Sequence, residues 1–267
     1  TRSCDHFRHA MTALDAGKIV FLEKPFCTNY EDAKILSEKG KGRLFIRHNR
    51  RFEAKFMQVK EIIDSKILGD VYAVKLARNH FNCRMDWQTL REYGGGKLLN
   101  WGPHIVDHAL YFCGGDYTEI SAYTKQIASA GDAEDYVKAT FVGVNGRIVE
   151  MELGDAVALH SPEYIIYGNR GTLTDNGKTY TLHYLPEDFE MPKMQACHAT
   201  PYTDSYNAHK FMPPLSFVQE EKVWNTNVLD HTWNYLYDTV RNGKPYPITD
   251  AEALQVMKAI GDIQKTM

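Results

Sequence analysis

The sequence contains only five cysteines, Cys4, Cys27, Cys83, Cys113 and Cys197, and no two of them form a C-x-x-C pair. An odd, dispersed set argues against a disulfide framework and a zinc ribbon, and it suits a reducing compartment, so a cytoplasmic location is expected. No uncharged apolar run approaches the roughly 18 residues that a helical membrane span needs. The opening TRSCDHFRHA lacks the apolar core of a signal peptide. Clusters of basic residues are missing as well: 31 Lys and Arg interleave with 34 Asp and Glu to a net charge of −3. That balance excludes the electrostatic footprint of a nucleic-acid binder. Neither internal repeats nor a low-complexity tract occurs.

The chain has 267 residues, 43% of them hydrophobic and 24% charged. It is long enough to bury a substantial core in one large domain or two smaller ones. Phe7, Ala10, Met11 and Leu14 recur at helical spacing, which predicts a helix over 5–16 that Asp5 can cap and Gly17 can end. KIVFL at 18–22 reads as a buried strand stopped by Pro25. Thr28-x-x-Glu31 has capping-box spacing and opens a helix to about Gly40, and RLFIR at 43–47 follows as another strand. Helix, strand, helix, strand implies a parallel α/β arrangement.

The pattern changes after residue 50. Phe56, Val59, Ile62 and Ile63 predict a helix to about Lys66, and 70–81 then reads as a strand. Further strands are expected at 118–127, 136–144, 147–157 and 163–168, with a hairpin at Asn176-Gly177. Residues 186–225 show no clean period and suggest a functional loop or lid. A helix near 228–241, ended by Asn242-Gly243, and one opened by Thr249-x-x-Glu252 close the chain. The fold class is therefore α/β plus α+β: residues 1–50 form a parallel α/β unit, and 51–267 form a large, mostly antiparallel open sheet with flanking helices.

Two segments carry chemistry. In REYGGGKLLNWGPHIVDHAL, residues 91–110, Pro103 suits a first helical turn and places His104, Asp107, His108 and Tyr111 on one face. Gly94 to Gly96 allow close approach of a ligand, and Asn100 stands just before the helix. At the helix start the backbone N–H groups and the dipole disfavour a protonated His104, which suits a proton acceptor. The competing reading is a solvated polar face with a core histidine. The second segment is FLEKPF, residues 21–26, where Glu23-Lys24-Pro25 directly follows a buried strand. In open α/β sheets, ligands bind beyond the carboxyl ends of strands.

EKP after a strand, followed by GGG-x-L-x-[acid or amide]-x-G-x-H-x-x-D, resembles the Gfo/Idh/MocA oxidoreductases, the family of glucose-fructose oxidoreductase and inositol dehydrogenase. AGKIVFLEKPF, HNRRFEAKFMQVKEIIDSKILGDVY and VRNGKPYPITDAEALQVMKAI extend the resemblance across essentially the whole chain. It implies an NAD- or NADP-dependent oxidoreductase that transfers hydride at a secondary alcohol or ketone of a sugar, polyol or sugar derivative. It also implies that Glu23, Lys24 and Pro25 contact the cofactor, that Lys24 lies near the nicotinamide and the reacting hydroxyl as a catalytic residue, and that His104 is the general acid/base. The family's usual aspartate falls on Asn100, which can hydrogen-bond a hydroxyl but cannot take up a proton. Asn49 and Arg51 are further expected substrate contacts, while Asp107 is expected to act structurally, as a partner for Lys24 or an arginine.

No G-x-G-x-x-G occurs in the chain, whose resemblance begins at the helix before the EKP strand. The resemblance thus implies an N-terminally truncated chain with only the C-terminal part of a Rossmann domain, and a fragment inactive by itself. Two alternatives stand beside it. One is a binding or assembly module that no longer binds dinucleotide. The other is a metal-dependent hydrolase in which His104-x-x-Asp107-His108 chelates zinc. The expected partners are a small sugar or polyol and further copies of the chain packed through the open sheet face, with no nucleic acid and no membrane.

Overall fold

A computed structural model of the chain describes residues 1–193, 214–226 and 231–266. It opens with helix α1, His6–Asp15, and strand β1, Val20–Glu23; helix α2, Tyr30–Lys39, then leads to strand β2, Leu44–Arg47. Ala10 and Leu14 supply the buried stripe of α1, as their spacing requires. β1 and β2 pair in parallel, with Leu22 opposite Ile46 and Glu23 opposite Arg47. The cap of α2 lies one residue beyond the expected position. Asn29, in extended backbone, accepts the Asp32 N–H at 2.8 Å, whereas Thr28 packs its methyl against Gly94. An asparagine side chain caps a helix as well as a threonine does, so the flanking packing decides between them.

The polypeptide then crosses through helix α3, Ala54–Asp64, into strand β3, Val71–Asn79, and returns through helix α4, Lys97–Asn100, and helix α5, Gly102–Phe112. Strands β4 Tyr117–Lys125, β5 Tyr136–Gly143, β6 Ile148–Gly154, β7 Tyr164–Gly168, β8 Gly171–Asp175, β9 Thr179–Tyr184 and β10 Val218–Val223 follow. Helices α6, Thr232–Asn242, and α7, Asp250–Gln264, complete the described elements. β3 and β4 to β10 form one eight-stranded sheet in the order β10-β9-β8-β7-β3-β6-β5-β4. Only β3 and β6 run parallel; the other neighbours are antiparallel. The Asn176-Gly177 turn closes the β8-β9 hairpin, with Gly177 at φ +87°.

Strand alternation sets the two faces of this sheet. Val74, Leu76, Met151 and Phe141 are buried on the side that α5 covers. The opposite face carries charged pairs, including Lys75 with Glu150 and Lys138 with Glu152. α7, opened by a Thr249–Glu252 capping box, packs Val256, Met257 and Ile260 among α2 and α5 and joins the small parallel sheet to the large one. The expectation of an irregular stretch over 186–225 is corrected at 218–223, where β10 forms the sheet edge. Its Gln-Glu-Glu-Lys run masks the strand period, since edge strands are commonly charged. Residues 194–213 of that stretch lie outside the described residues.

Candidate functional site

α5 is buried along nearly its whole length: every residue from Gly102 to Leu110 is buried, as is Phe112, and only Tyr111 is exposed. The stripe of His104, Asp107 and His108 is therefore an interior one, and the solvated-face reading fails. A buried polar stripe needs partners. Asp107 finds Arg51, whose Nε donates to Oδ2 at 3.0 Å and whose Nη2 donates to Oδ1. His108 stacks on Phe56 with ring centroids 3.8 Å apart, and its Nε2 donates to the Arg50 carbonyl at 3.0 Å. Burial drives the His108 pKa down to about 4.

His104 differs. It is buried, and its Nδ1 has no hydrogen-bond partner among the described residues. Burial, reinforced by the nearby positive charge of Lys24, holds its pKa well below the ordinary value. The imidazole is neutral at neutral pH and can accept a proton.

Lys24 comes from the end of β1. Its Nζ donates to the Asn100 backbone carbonyl at 2.7 Å and to Asn100 Oδ1 at 3.1 Å. This contact joins β1 to the last residue of α4, one helical turn before His104. Burial lowers the Lys24 pKa to about 8; Glu23 opposes the shift, and Arg50, Arg84 and Arg47 add to it. Both oxygens that Lys24 reaches are uncharged, so the Glu23 carboxylate acts on its proton affinity without a direct hydrogen bond. Its neighbours in the tripeptide are engaged elsewhere: Glu23 pairs with Arg47, and the Pro25 carbonyl is bonded to His6 Nδ1 at 2.8 Å.

Lys24, Asn100, Gly94, Gly95, Trp87 and Gln88 line a small cleft of about 190 Å³. The glycines serve packing as much as access. A Cβ on Gly96, which sits at φ +108°, would lie 2.3 Å from the Glu134 carboxylate, and one on Gly95 would lie 2.6 Å from the Gln88 carbonyl. The approaching groups are protein, so the expectation of a pure ligand wall is revised to a junction that also borders a cleft. The next residue, Trp101, lines a larger cleft of about 780 Å³ with Arg50, Arg78, His80, His160 and Glu163.

The expected residues do not all converge. Lys24, Asn100 and His104 gather around the junction of β1, α4 and α5. Arg51 does not join them: it pairs with Asp107 and, at 2.7 Å, with Glu252, and it lines a different pocket between α3, α5 and α7. Asn49 opens the short 3-10 turn Asn49–Phe52 and is half-buried. Arg50, which the sequence reading passed over, faces the larger cleft and places its guanidinium 4.5 Å from the centre of the Trp101 ring. Lys97, Asp155 and His80 also escaped that reading. The zinc reading loses its donors, because Asp107 and the His108 ring are committed to Arg51, Arg50 and Phe56.

Comparisons with known proteins address the family and the fold. The family model for the GFO/IDH/MocA C-terminal domain matches residues 56–174. The model for the oxidoreductase family with an NAD-binding Rossmann fold matches residues 1–44. The chain belongs to the Gfo/Idh/MocA oxidoreductase family. Scyllo-inositol 2-dehydrogenase (NADP(+)) IolW of Bacillus subtilis is 24% identical over 96% of this chain and 72% of its own length. The uncharacterized oxidoreductase YdgJ of Escherichia coli is 25% identical over 96% of this chain and 73% of its own. Among solved structures, an NAD-binding protein from Listeria innocua superposes with a TM-score of 0.82 at 23% identity, covering 100% of this chain and 77% of that one. GenD2 from gentamicin A biosynthesis, solved in complex with NAD, gives 0.74 at 21%, covering 100% and 74%. Among the described residues no helix is long and apolar enough to cross a membrane.

Proposed function

We propose that this family member is an NAD(P)-dependent oxidoreductase that interconverts a secondary alcohol and a ketone on a sugar, polyol or sugar derivative. The observation that carries the reading is the junction itself. Asn100 grips Lys24 Nζ at the carboxyl end of a parallel strand, and a neutral, buried His104 follows one helical turn later. The 24% identity to a scyllo-inositol dehydrogenase supports a polyol substrate.

In this reading the small cleft at Lys24 receives the nicotinamide end of the dinucleotide. Its lining includes Lys24, Glu23, Asn100, two glycines and Trp87, and the indole and the glycines suit a flat ring. Bound NAD(P) supplies the hydride acceptor or donor. Lys24 donates a hydrogen bond to the reacting oxygen and orients the carbinol. His104 holds the hydroxyl proton during oxidation and returns it during reduction. Asn100 fixes the Lys24 ammonium without neutralising it, and burial around both groups excludes water that would compete for the proton. We also propose, as an interaction of this enzyme, that copies of the chain associate through the open face of the large sheet.

The test is a panel of inositols, aldoses and sugar alcohols incubated with the full-length protein and either NAD+ or NADP+, following reduced nicotinamide by absorbance. Turnover on at least one polyol is expected. Absence of turnover on every member of the panel with both cofactors contradicts the proposal.

A further inference from the structure

The larger cleft holds an arrangement that the proton chemistry does not use. His80 lines it, with its side chain 34% exposed, and Nε2 lies 2.8 Å from Asp155 Oδ1. Behind that carboxylate stands Lys97, whose side chain is only 1% exposed and whose ammonium pairs with the same oxygen. Taking an ammonium and a carboxylate out of water is costly, and a hydrophobic pair would fill the volume at least as stably. The pair gives the His80 ring a fixed orientation.

The orientation has a chemical sense. The nitrogen facing Asp155 carries the hydrogen, because a carboxylate can only accept. Lys97 Nζ, 3.3 Å from the same nitrogen, therefore donates to the carboxylate. Nδ1 remains as an acceptor. Burial and the Lys97 charge both disfavour a protonated ring, so the acceptor persists at neutral pH. α4 links the two sides of the site: Lys97 at its first position secures His80, and Asn100 at its last position holds Lys24. Trp101, the residue after Asn100, lines the same cleft with the Arg50 guanidinium over its ring.

We propose that His80 is a substrate-contacting residue that accepts a hydrogen bond from a non-reacting hydroxyl, with Asp155 and Lys97 as its positioning residues. The substrate class then narrows, on the reading that Lys24 engages the reacting oxygen. One hydroxyl meets the Lys24 donor while another meets the His80 acceptor, which a polyol or sugar satisfies and a simple secondary alcohol does not.

The test is histidine side-chain ¹H–¹⁵N NMR of the full chain with NADP+, titrated with scyllo-inositol and then with a panel of inositols, aldoses and sugar alcohols. His80→Leu and His104→Asn assign the signals. In the free protein the His80 shifts should show hydrogen on Nε2, and Asp155→Asn should move it. On titration the His80 and His104 signals should move together with one saturation curve, and His80→Leu should weaken binding about tenfold, on the order of one lost hydrogen bond in a desolvated cleft. Movement at His104 with none at His80 overturns this proposal and leaves the oxidoreductase reading standing. Silence at both, across the whole panel, overturns the two together.

Discussion

His104 and His108 stand four residues apart on α5. Both are buried, and burial depresses the pKa of both. His108 is satisfied on every side, with Phe56 against its ring, the Arg50 carbonyl at Nε2 and the Tyr164 hydroxyl 3.4 Å from Nδ1. His104 has an unpartnered Nδ1, and Lys24 is the first charged neighbour to act on it. Burial alone therefore does not separate a structural histidine from a chemical one. What separates them is whether the surrounding protein has already used the ring's hydrogen-bonding capacity. The same contrast divides the site at large: Arg51 and Asp107, although they line a pocket, are paired with each other, whereas Lys24 lines its cleft bonded to the uncharged oxygens of Asn100.

The contrast can be broken most sharply at Lys24. Replacing it with methionine keeps the stem and removes the donor, and kcat should fall by about 10²–10⁴ with the thermal transition nearly unchanged. Near-normal turnover would remove Lys24 from the chemistry. On the paired side, Asp107→Ala leaves the Arg51 guanidinium with Glu252 as its remaining carboxylate. Chemical denaturation should show a loss of about 2 kcal/mol, below the about 3–5 kcal/mol of a fully orphaned buried charge. A loss within measurement error would mean that the Arg51–Asp107 pair does not hold this side together.

A subtler change sharpens the comparison at Asn100. Lys24 is charged below about 8 and loses its proton above it, so kcat/KM should decline on the alkaline side from that point. A neutral His104 leaves the acid side flat to well below the ordinary histidine range. Asn100→Asp adds a carboxylate to the Lys24 ammonium, favours its charged form and should move the alkaline decline to higher pH. A decline that stays in place would assign it to another group.

Much of the fold was legible locally. Helical spacing located α1 and α3, and the Thr249–Glu252 box that marked the start of α7 closed as expected, because each rests on residues within one or two turns. β10 was not legible, since its charged edge lacks the apolar alternation that marks a strand. The interior character of α5 was hidden too. Its polar stripe looks solvated until Arg51, 56 residues before Asp107, and Phe56 arrive against it. Lys97 was missed for the same reason, because the Asp155 that accounts for its burial lies 58 residues later. Periodicity proposed His104, but nothing local links it to Lys24. The contact of Lys24 with Asn100 spans 76 residues; the family resemblance assigned both to one site but named Asp107, as a partner for Lys24 or an arginine, rather than this contact. Arg50 and Arg51 show the limit most plainly, since adjacent residues on one 3-10 turn face different clefts and no spacing rule selects between them.

The central claim is that α5 carries one chemical and one structural histidine. Steady-state turnover and thermal unfolding, measured side by side on His104→Ala and His108→Ala, test it most directly. The expected result is that His104→Ala loses turnover by about 10²–10⁴ and keeps its transition temperature, while His108→Ala unfolds several degrees lower and, below its transition, turns over at close to the unaltered rate. Equal loss of turnover in both variants, or loss in His108→Ala alone, would contradict it.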